Sequence, residues 1–527
     1  MKKYGLLALL ILCICVVPAG VSCDAAMPAQ TNAPAFGNTT ALADTLIIAL
    51  NEEPTHLNGV QGGIDPNGKI NPQIYDKLVK QNPATGEISP ALAERWEMLD
   101  ETTWLFHLRD DVYFHNGDNL IAEDVLFSCR QNDGPGGLSW IWGGIDTKNS
   151  YVESRYTVAI KTYDTYPGLL AMLASEAYIV NKSLYQEMGA DAYDRNPVGT
   201  GPYAFVEWVA GESITLQKNE RYWGGAGHFK TMIFRFIADD DARALALEKG
   251  EVDIAVELSA QQALFLETSG WIDTIIHPAL TTDYIGFHCQ KAPFRDKKVR
   301  QALRHALNME AIVDKAFHTG YTGEVADGIC PPSFVDYLSA KGSLSYEYDI
   351  KKARQLMKEA GYPNGFSCRL LSTNRHSRVA LAAMVKEAWA KLGVEVELYV
   401  VKMAHFLQII QSGDYDAYVG GWVLSTNDGD LMHDTFYSDE RLWYDANLTA
   451  YANVEYDRTV DAARKEPDRK IRATLYGRAQ DIIREDLPVI PCAWGNKVIG
   501  MRNTLTGYDE DPSGYPCFAG IRPKTDE

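Results

Sequence analysis

Between Asp349 and Val401 the chain alternates a helical pattern with an extended one, and this stretch limits the fold more than any other. In "DIKKARQLMKEAGYP" (Asp349–Pro363), Ile350, Ala353, Met357 and Ala360 share one helical face. Asp349 suits the N-cap, and Gly361 with Pro363 suits the stop. "RVALAAMVKEAWAKLG" (Arg378–Gly393) predicts a second helix, which runs directly into "VEVELYVV" (Val394–Val401). There Val394, Val396, Leu398 and Val400 alternate as a half-buried strand does. "DRKIRATLYGRAQDIIREDLPVIPCAW" (Asp468–Trp494) repeats the succession, and "DTLIIAL" (Asp44–Leu50) reads as a buried strand. Helix followed by strand predicts an α/β fold with mixed sheets. At 527 residues the chain is too long for one core, so two to four units are expected.

The N-terminus predicts export. Lys2 and Lys3 precede an apolar run, Leu6–Val17, that is too short to span a bilayer as a helix, and small residues follow. Residues 1–22 are therefore expected to be a signal peptide. Gly20-Val21-Ser22-Cys23 resembles a lipoprotein processing box, with Gly20 where a leucine-like residue is usual. Lipidation at Cys23 and export without a lipid are the two readings. Residues 23–42, rich in Ala, Pro, Thr and Asn, bury too little to offset their ordering entropy and read as a tether. Beyond Cys23 six cysteines remain, with no CxxC among them, and buried free thiols are the simplest expectation.

Charge and motifs narrow the function. Seventy acidic against 50 basic residues give a net −20, which repels nucleic-acid phosphates, so no nucleic-acid partner is expected. The sequence lacks GxxxxGK[ST], GxGxxG after a strand, HExxH and GxSxG, and its 11 histidines are scattered. No catalytic constellation assembles, and neither catalysis nor a cofactor is expected.

Three stretches carry a family resemblance. "LAERWEMLDETTWLFHLRDDVYFHNGDNLIAEDVLFS" (Leu92–Ser128), "NPVGTGPYAFVEW" (Asn196–Trp208) and "YIGFHCQKAPFRDKKVRQALRHALNMEAI" (Tyr284–Ile312) occur in order. They resemble the bacterial extracellular solute-binding protein family 5, the dipeptide-, oligopeptide- and nickel-binding components of ABC importers. The resemblance implies a type II periplasmic-binding-protein-like α/β fold, with two ligand-closing lobes plus an extra lobe. Transferred by motif order, lobe I is 43–75, 196–282 and 501–527, the extra lobe II is 76–195, and lobe III is 283–500. Hinge crossings are then expected near Thr281–Tyr284 and Val498–Met501.

The resemblance also implies a site. "GGWVLSTNDGD" (Gly420–Asp430) looks like the family's strand leading into the pocket, so Gly421 and Trp422 are expected to line it. The position where peptide-binding members place an aspartate for the ligand ammonium holds Ser425, or Asn427 if the loop is longer by two, with Asp428 and Asp430 close by. Arg375 and Arg378 precede a helix where dipeptide-binding members hold an arginine for the ligand carboxylate. Trp140 and Trp142 face either the cleft or a core. The expected ligand is a peptide, with an ABC permease, its ATPase subunits and the membrane as partners of a monomer. The alternative is a metal-chelate receptor using Asp430, His433 and Asp434, and a sugar receptor or a secreted hydrolase stands behind that.

Overall fold

The computed structural model describes residues 44–60, 67–83, 85–132, 144–175, 177–332, 334, 346–423, 428–439, 446–511 and 513–524. Cys23, Trp140, Trp142, Ser425, Asn427 and the side chain of Asp434 lie outside them.

One 11-stranded mixed sheet organises the molecule. Its strands are β1 (Thr45–Leu50), β2 (Tyr203–Val209), β3 (Ser213–Lys218), β4 (Thr231–Phe236), β5 (Ile254–Ala255) and β6 (Ile272–Phe287). They continue with β7 (Gly323–Val325), β8 (Ser367–Thr373), β9 (Glu395–Val401), β10 (Ala417–Val423) and β11 (Val489–Arg502). The spatial order is β9-β8-β10-β6-β11-β5-β1-β4-β3-β2, with β7 paired to β11. β1 is parallel to β4 and β5, and β8 is parallel to β9 and β10. The pairings through β6 and β11 are antiparallel.

The expected helix and strand signals meet this sheet closely. Asp349 caps the helix Ile350–Glu359 by accepting from the backbone N–H of Lys351 and Lys352. Asp296 caps Lys297–His305 in the same way, and Val299 and Leu303 of that helix are fully buried. In β9 the alternation slips at the end: Val400 is 40% exposed and Val401 takes the inner place. β9 is an edge strand with a partner on one side, so the last residues are free to twist away from the sheet.

Cores gather on either side of the two long strands. The largest collects residues from Leu280 to Ala493 around Trp389, Phe287 and Tyr418. A second, from Leu78 to Ile179, lies on a four-stranded antiparallel sheet (Ala93–Asp100, Thr103–Leu108, Thr157–Lys161, Tyr151–Ser154) and the helix Ala122–Asn132. A third joins Leu46–Tyr75 with Tyr178–Phe234 and the returning segment Ile499–Ile521. Along β11, core membership changes between Ala493 and Val498, a few residues before the expected crossing at Val498–Met501. Cys129, Cys289, Cys368 and Cys492 are buried free thiols, Cys517 is a half-buried one, and Cys330 is buried.

Candidate functional site

Because β6 and β11 run through both halves of the sheet, β6 serves as a ruler. Ala255 of β5 lies opposite Gly500 of β11, which lies opposite Thr274 of β6, whereas Val423 of β10 lies opposite Thr281. The parallel set β1, β4 and β5 runs toward higher β6 numbers; the set β8, β9 and β10 runs the other way. The carboxyl ends of the two sets therefore point at each other across the Thr274–Thr281 stretch. In open α/β sheets ligands bind outside the carboxyl ends of strands, most often where connections leave a strand to opposite sides. β8, between β9 and β10, is such a strand. The β6–β11 ladder is interrupted within this stretch, between Pro278 and Thr282. A Cβ on the facing Gly495 would lie 2.1 Å from Thr281 Oγ1, so a glycine permits the two bridging strands to approach there.

On the large-core side, Gly421 and Trp422 lie in the last residues of β10, with Trp422 half-buried against the core. Gly421 is paired with Asp283 of β6. Helix α1 (Asp240–Glu248) belongs to the opposite half, and helix α2 (His376–Ala390) follows β8. From α2, Arg378 donates Nε to Asp283 Oδ1 at 2.7 Å, and both side chains are under 10% exposed. The missing Cβ of Gly421 leaves room for this pair, since it would lie 2.0 Å from Arg378 Nη2. Arg375, the residue before α2, is exposed.

The facing side presents residues with no sequence signal beyond their place at strand ends. Asn51 follows β1, and Glu257 comes two residues after β5. Lys69, which is nearly buried, donates to Asn51 Oδ1 at 3.2 Å and lies 3.6 Å from Glu257 Oε1.

Asp428 and Asp430 are engaged inside the protein. Helices α3 (Val454–Lys465) and α4 (Arg469–Asp486) supply the partners. Arg472 grips Asp428 with both Nη groups, one of them at 2.8 Å. Burial raises the Asp428 pKa, but the guanidinium outweighs it and holds the carboxyl below its ordinary value. Arg464 donates Nε to Asp430 Oδ1 at 2.7 Å and Nη2 to Oδ2 at 3.2 Å. Asp430 also accepts from Tyr166 at 3.1 Å and Tyr476 at 3.4 Å. His433 bonds Asp461 at 3.0 Å and stacks on Tyr437. Tyr166 belongs to the second core and reaches Asp430, while Asp164, paired with Lys465, and the Thr85 carbonyl, bonded by Arg469 at 2.7 Å, meet α3 and α4.

Beside the bridging strands, Glu510 is almost fully buried and accepts from Tyr508 at 2.7 Å and Lys497 at 3.2 Å, with His277 Nδ1 at 3.3 Å. His277 and Lys497 are cross-strand partners on β6 and β11. The hydrogen bond to Glu510 raises the His277 pKa against the opposing effect of burial. A raised histidine stabilises the fold fully below its unfolded value of about 6.5, and that contribution is lost as pH rises through the folded value. His277→Gln is thus expected to lower the denaturation midpoint more at pH 5.5 than at pH 8.5. An equal loss at both would mean that the imidazole acts without its charge.

Two α/β halves sharing two long strands, with opposed parallel-strand ends, define the type II periplasmic-binding-protein class. The chain belongs to the bacterial extracellular solute-binding proteins, family 5, whose profile matches residues 87–443. It is 27% identical over 522 residues to heme-binding protein A of Haemophilus influenzae, covering 94% of each chain. It is 27% identical over 478 residues to the dipeptide-binding protein of Escherichia coli, covering 85% of this chain and 88% of that one. The periplasmic binding protein DppA from Helicobacter pylori, solved in complex with the peptide STSA, superposes with a TM-score of 0.77 at 26% identity. That match covers 91% of this chain and 98% of the other.

Proposed function

We propose that this chain is the extracytoplasmic substrate-binding lipoprotein of an ABC importer, anchored through Cys23, which captures peptides by lobe closure and delivers them to a membrane permease. The permease and its ATPase subunits are separate partners, the receptor is a monomer, and it acts by binding rather than by catalysis. Lobe I is residues 43–75, 196–282 and 501–527, lobe II is 76–195 and lobe III is 283–500, with the crevice between lobes I and III.

The observation that carries this reading is the opposition of two sets of parallel-strand ends across an interrupted two-strand bridge. The chemistry there suits a peptide. Arg378 spends Nε on Asp283, which orients the guanidinium and leaves its two Nη groups for a planar bidentate acceptor such as a carboxylate. Arg375 adds an exposed second guanidinium, and Trp422 offers a broad wall with little rotamer entropy to lose. Ser425, Asn427, Trp140 and Trp142, which lie outside the described residues, are the further ligand contacts of this reading. The relatives named for dipeptides and the peptide STSA support the ligand class. The metal-chelate alternative is weaker, because Arg464 already occupies both oxygens of Asp430 and Asp461 bonds His433.

Closure follows from ligand contacts available only when the lobes meet, a shift of population. Tyr166, Asp164 and Thr85 of lobe II, touching lobe III, add protein contacts to the closed arrangement. Calorimetry on the processed protein with a di- to pentapeptide library, with nickel–histidine and with hemin separates the ligand classes. Heat from peptides, with a smaller radius of gyration by X-ray scattering, is the expected result. Heat from nickel–histidine or hemin alone overturns the peptide reading.

A further inference from the structure

We propose that Glu257 is the anion that receives the cationic N-terminus of the bound peptide, from the lobe opposite β10. This rests on the peptide reading above and assigns one half of the ligand's recognition.

Glu257 has φ 55, the left-handed region that a residue with a Cβ enters at a cost. Such a conformation persists only when its surroundings impose it, and here they do. Arg243 of α1, fully buried, donates to the carbonyls of Ile237 and Val256 at 2.9 Å and of Glu257 at 2.6 Å, and pairs with Asp240. Three carbonyls on one guanidinium fix the turn after β5. Glycine would adopt the same φ without strain, so the glutamate side chain is what the strain retains.

That side chain stands at the carboxyl end of β5, where the crevice lies, and it is 30% exposed. Its carboxylate has a single ion-pair contact among the described residues, Lys69 at 3.6 Å. An ionised carboxylate has about four acceptor positions, so most of its capacity is unspent. Burial works against its charge, but Lys69, Lys497, Arg375 and Arg243 together keep it ionised. Two of these cations are engaged elsewhere: Arg243 on the turn carbonyls and Lys497 on Glu510. Arg375, the residue before α2 on the other side of the proposed crevice, is among the cations that favour the Glu257 charge. A zwitterion set between Glu257 and Arg375 meets an anion on one side and a guanidinium on the other.

Three acidic residues on the β10 side are already paired with arginines. Asp283 holds Arg378, Asp428 holds Arg472, and Asp430 holds Arg464. An ammonium taken out of water needs an anion beside it, and Glu257 offers one at the carboxyl end of β5 with acceptor positions to spare.

The test uses the processed protein, the tightest-binding member of a di- to pentapeptide library, and the same peptide N-acetylated. Wild type is expected to prefer the free amine strongly. Glu257→Gln, nearly isosteric, should weaken the free-amine peptide about 100-fold while changing the acetylated one less than about threefold. Glu257→Gly gives an independent readout: relief of the left-handed strain should raise the denaturation midpoint while the preference for the free amine disappears. A merely structural glutamate would not move stability and discrimination in opposite directions. If wild type binds peptides and Glu257→Gln keeps the full preference, this assignment is overturned and the peptide reading stands. If wild type binds neither form of any library member, the peptide reading fails and takes the assignment with it.

Discussion

Asp428→Asn is expected to destabilise the protein by about 3–5 kcal/mol, because it leaves the Arg472 guanidinium buried without its counter-charge. The Asp428 and Arg472 side chains are 11% and 8% exposed, so water cannot replace the lost carboxylate. Asp428 also accepts from the backbone N–H of Asp430 at 2.9 Å, which fixes the turn leading into the next helix. Urea unfolding followed by tryptophan fluorescence measures the loss. Adding Arg472→Leu should recover a large part of it, since the orphaned charge disappears with its partner. The effect should also fade in acid. A carboxyl held below its ordinary value stabilises above the unfolded pKa of about 3.9, and that contribution is lost as pH falls through the folded value. A variant with wild-type stability but weakened peptide binding would make Asp428 a ligand contact instead of a strut.

This strut explains what the sequence did and did not disclose about the site. The α/β succession and the cap at Asp349 were legible because their signals lie within a few residues of the structure they specify. The glycines and tryptophan at the end of β10 mark that strand end in the sequence, but the use of the aspartates beyond it was not legible. Arg472 is 44 residues from Asp428, Arg464 is 34 from Asp430, and Tyr166 is 264 from Asp430. No local pattern announces pairings of that separation. Only the packing of α3 and α4 against the loop, and of the second core against both, decides which carboxylates remain for a ligand.

Glu257 illustrates the converse. In "VDIAVELSAQQ" it follows a short strand and precedes Ser259, whose side chain and that of Gln262 form a capping box, so the local pattern describes an ordinary strand-to-helix turn. Its left-handed backbone and its place at the carboxyl end of β5 depend on Arg243 and on the sheet order, which places β5 between β1 and β11. Strand order in a mixed sheet is a long-range property, and the crevice is made by that order.

Gly421→Ala is expected to have the second large effect, and to act on stability and binding together. A Cβ there would lie 2.0 Å from Arg378 Nη2 and 2.8 Å from Asp283 Oδ1, so the substitution cannot coexist with the buried pair. Forcing the guanidinium away leaves Asp283 without its partner, at a cost of about 3–5 kcal/mol. β10 has no slack to relieve the clash, since its residues 417–423 are in continuous register with β6. The displaced Arg378 also loses the orientation that Asp283 gives it, so a peptide with a free carboxylate should bind at least about 30-fold more weakly, while its C-terminal amide changes little. Gly420→Ala is the comparison: its Cβ would lie 2.8 Å from the Tyr418 ring, a clash with an apolar group and no ion pair. It should destabilise while keeping the preference for the carboxylate. If Gly421→Ala also keeps that preference, Arg378 is a support of the β10 strand end alone, and the exposed Arg375 is left as the carboxylate's partner.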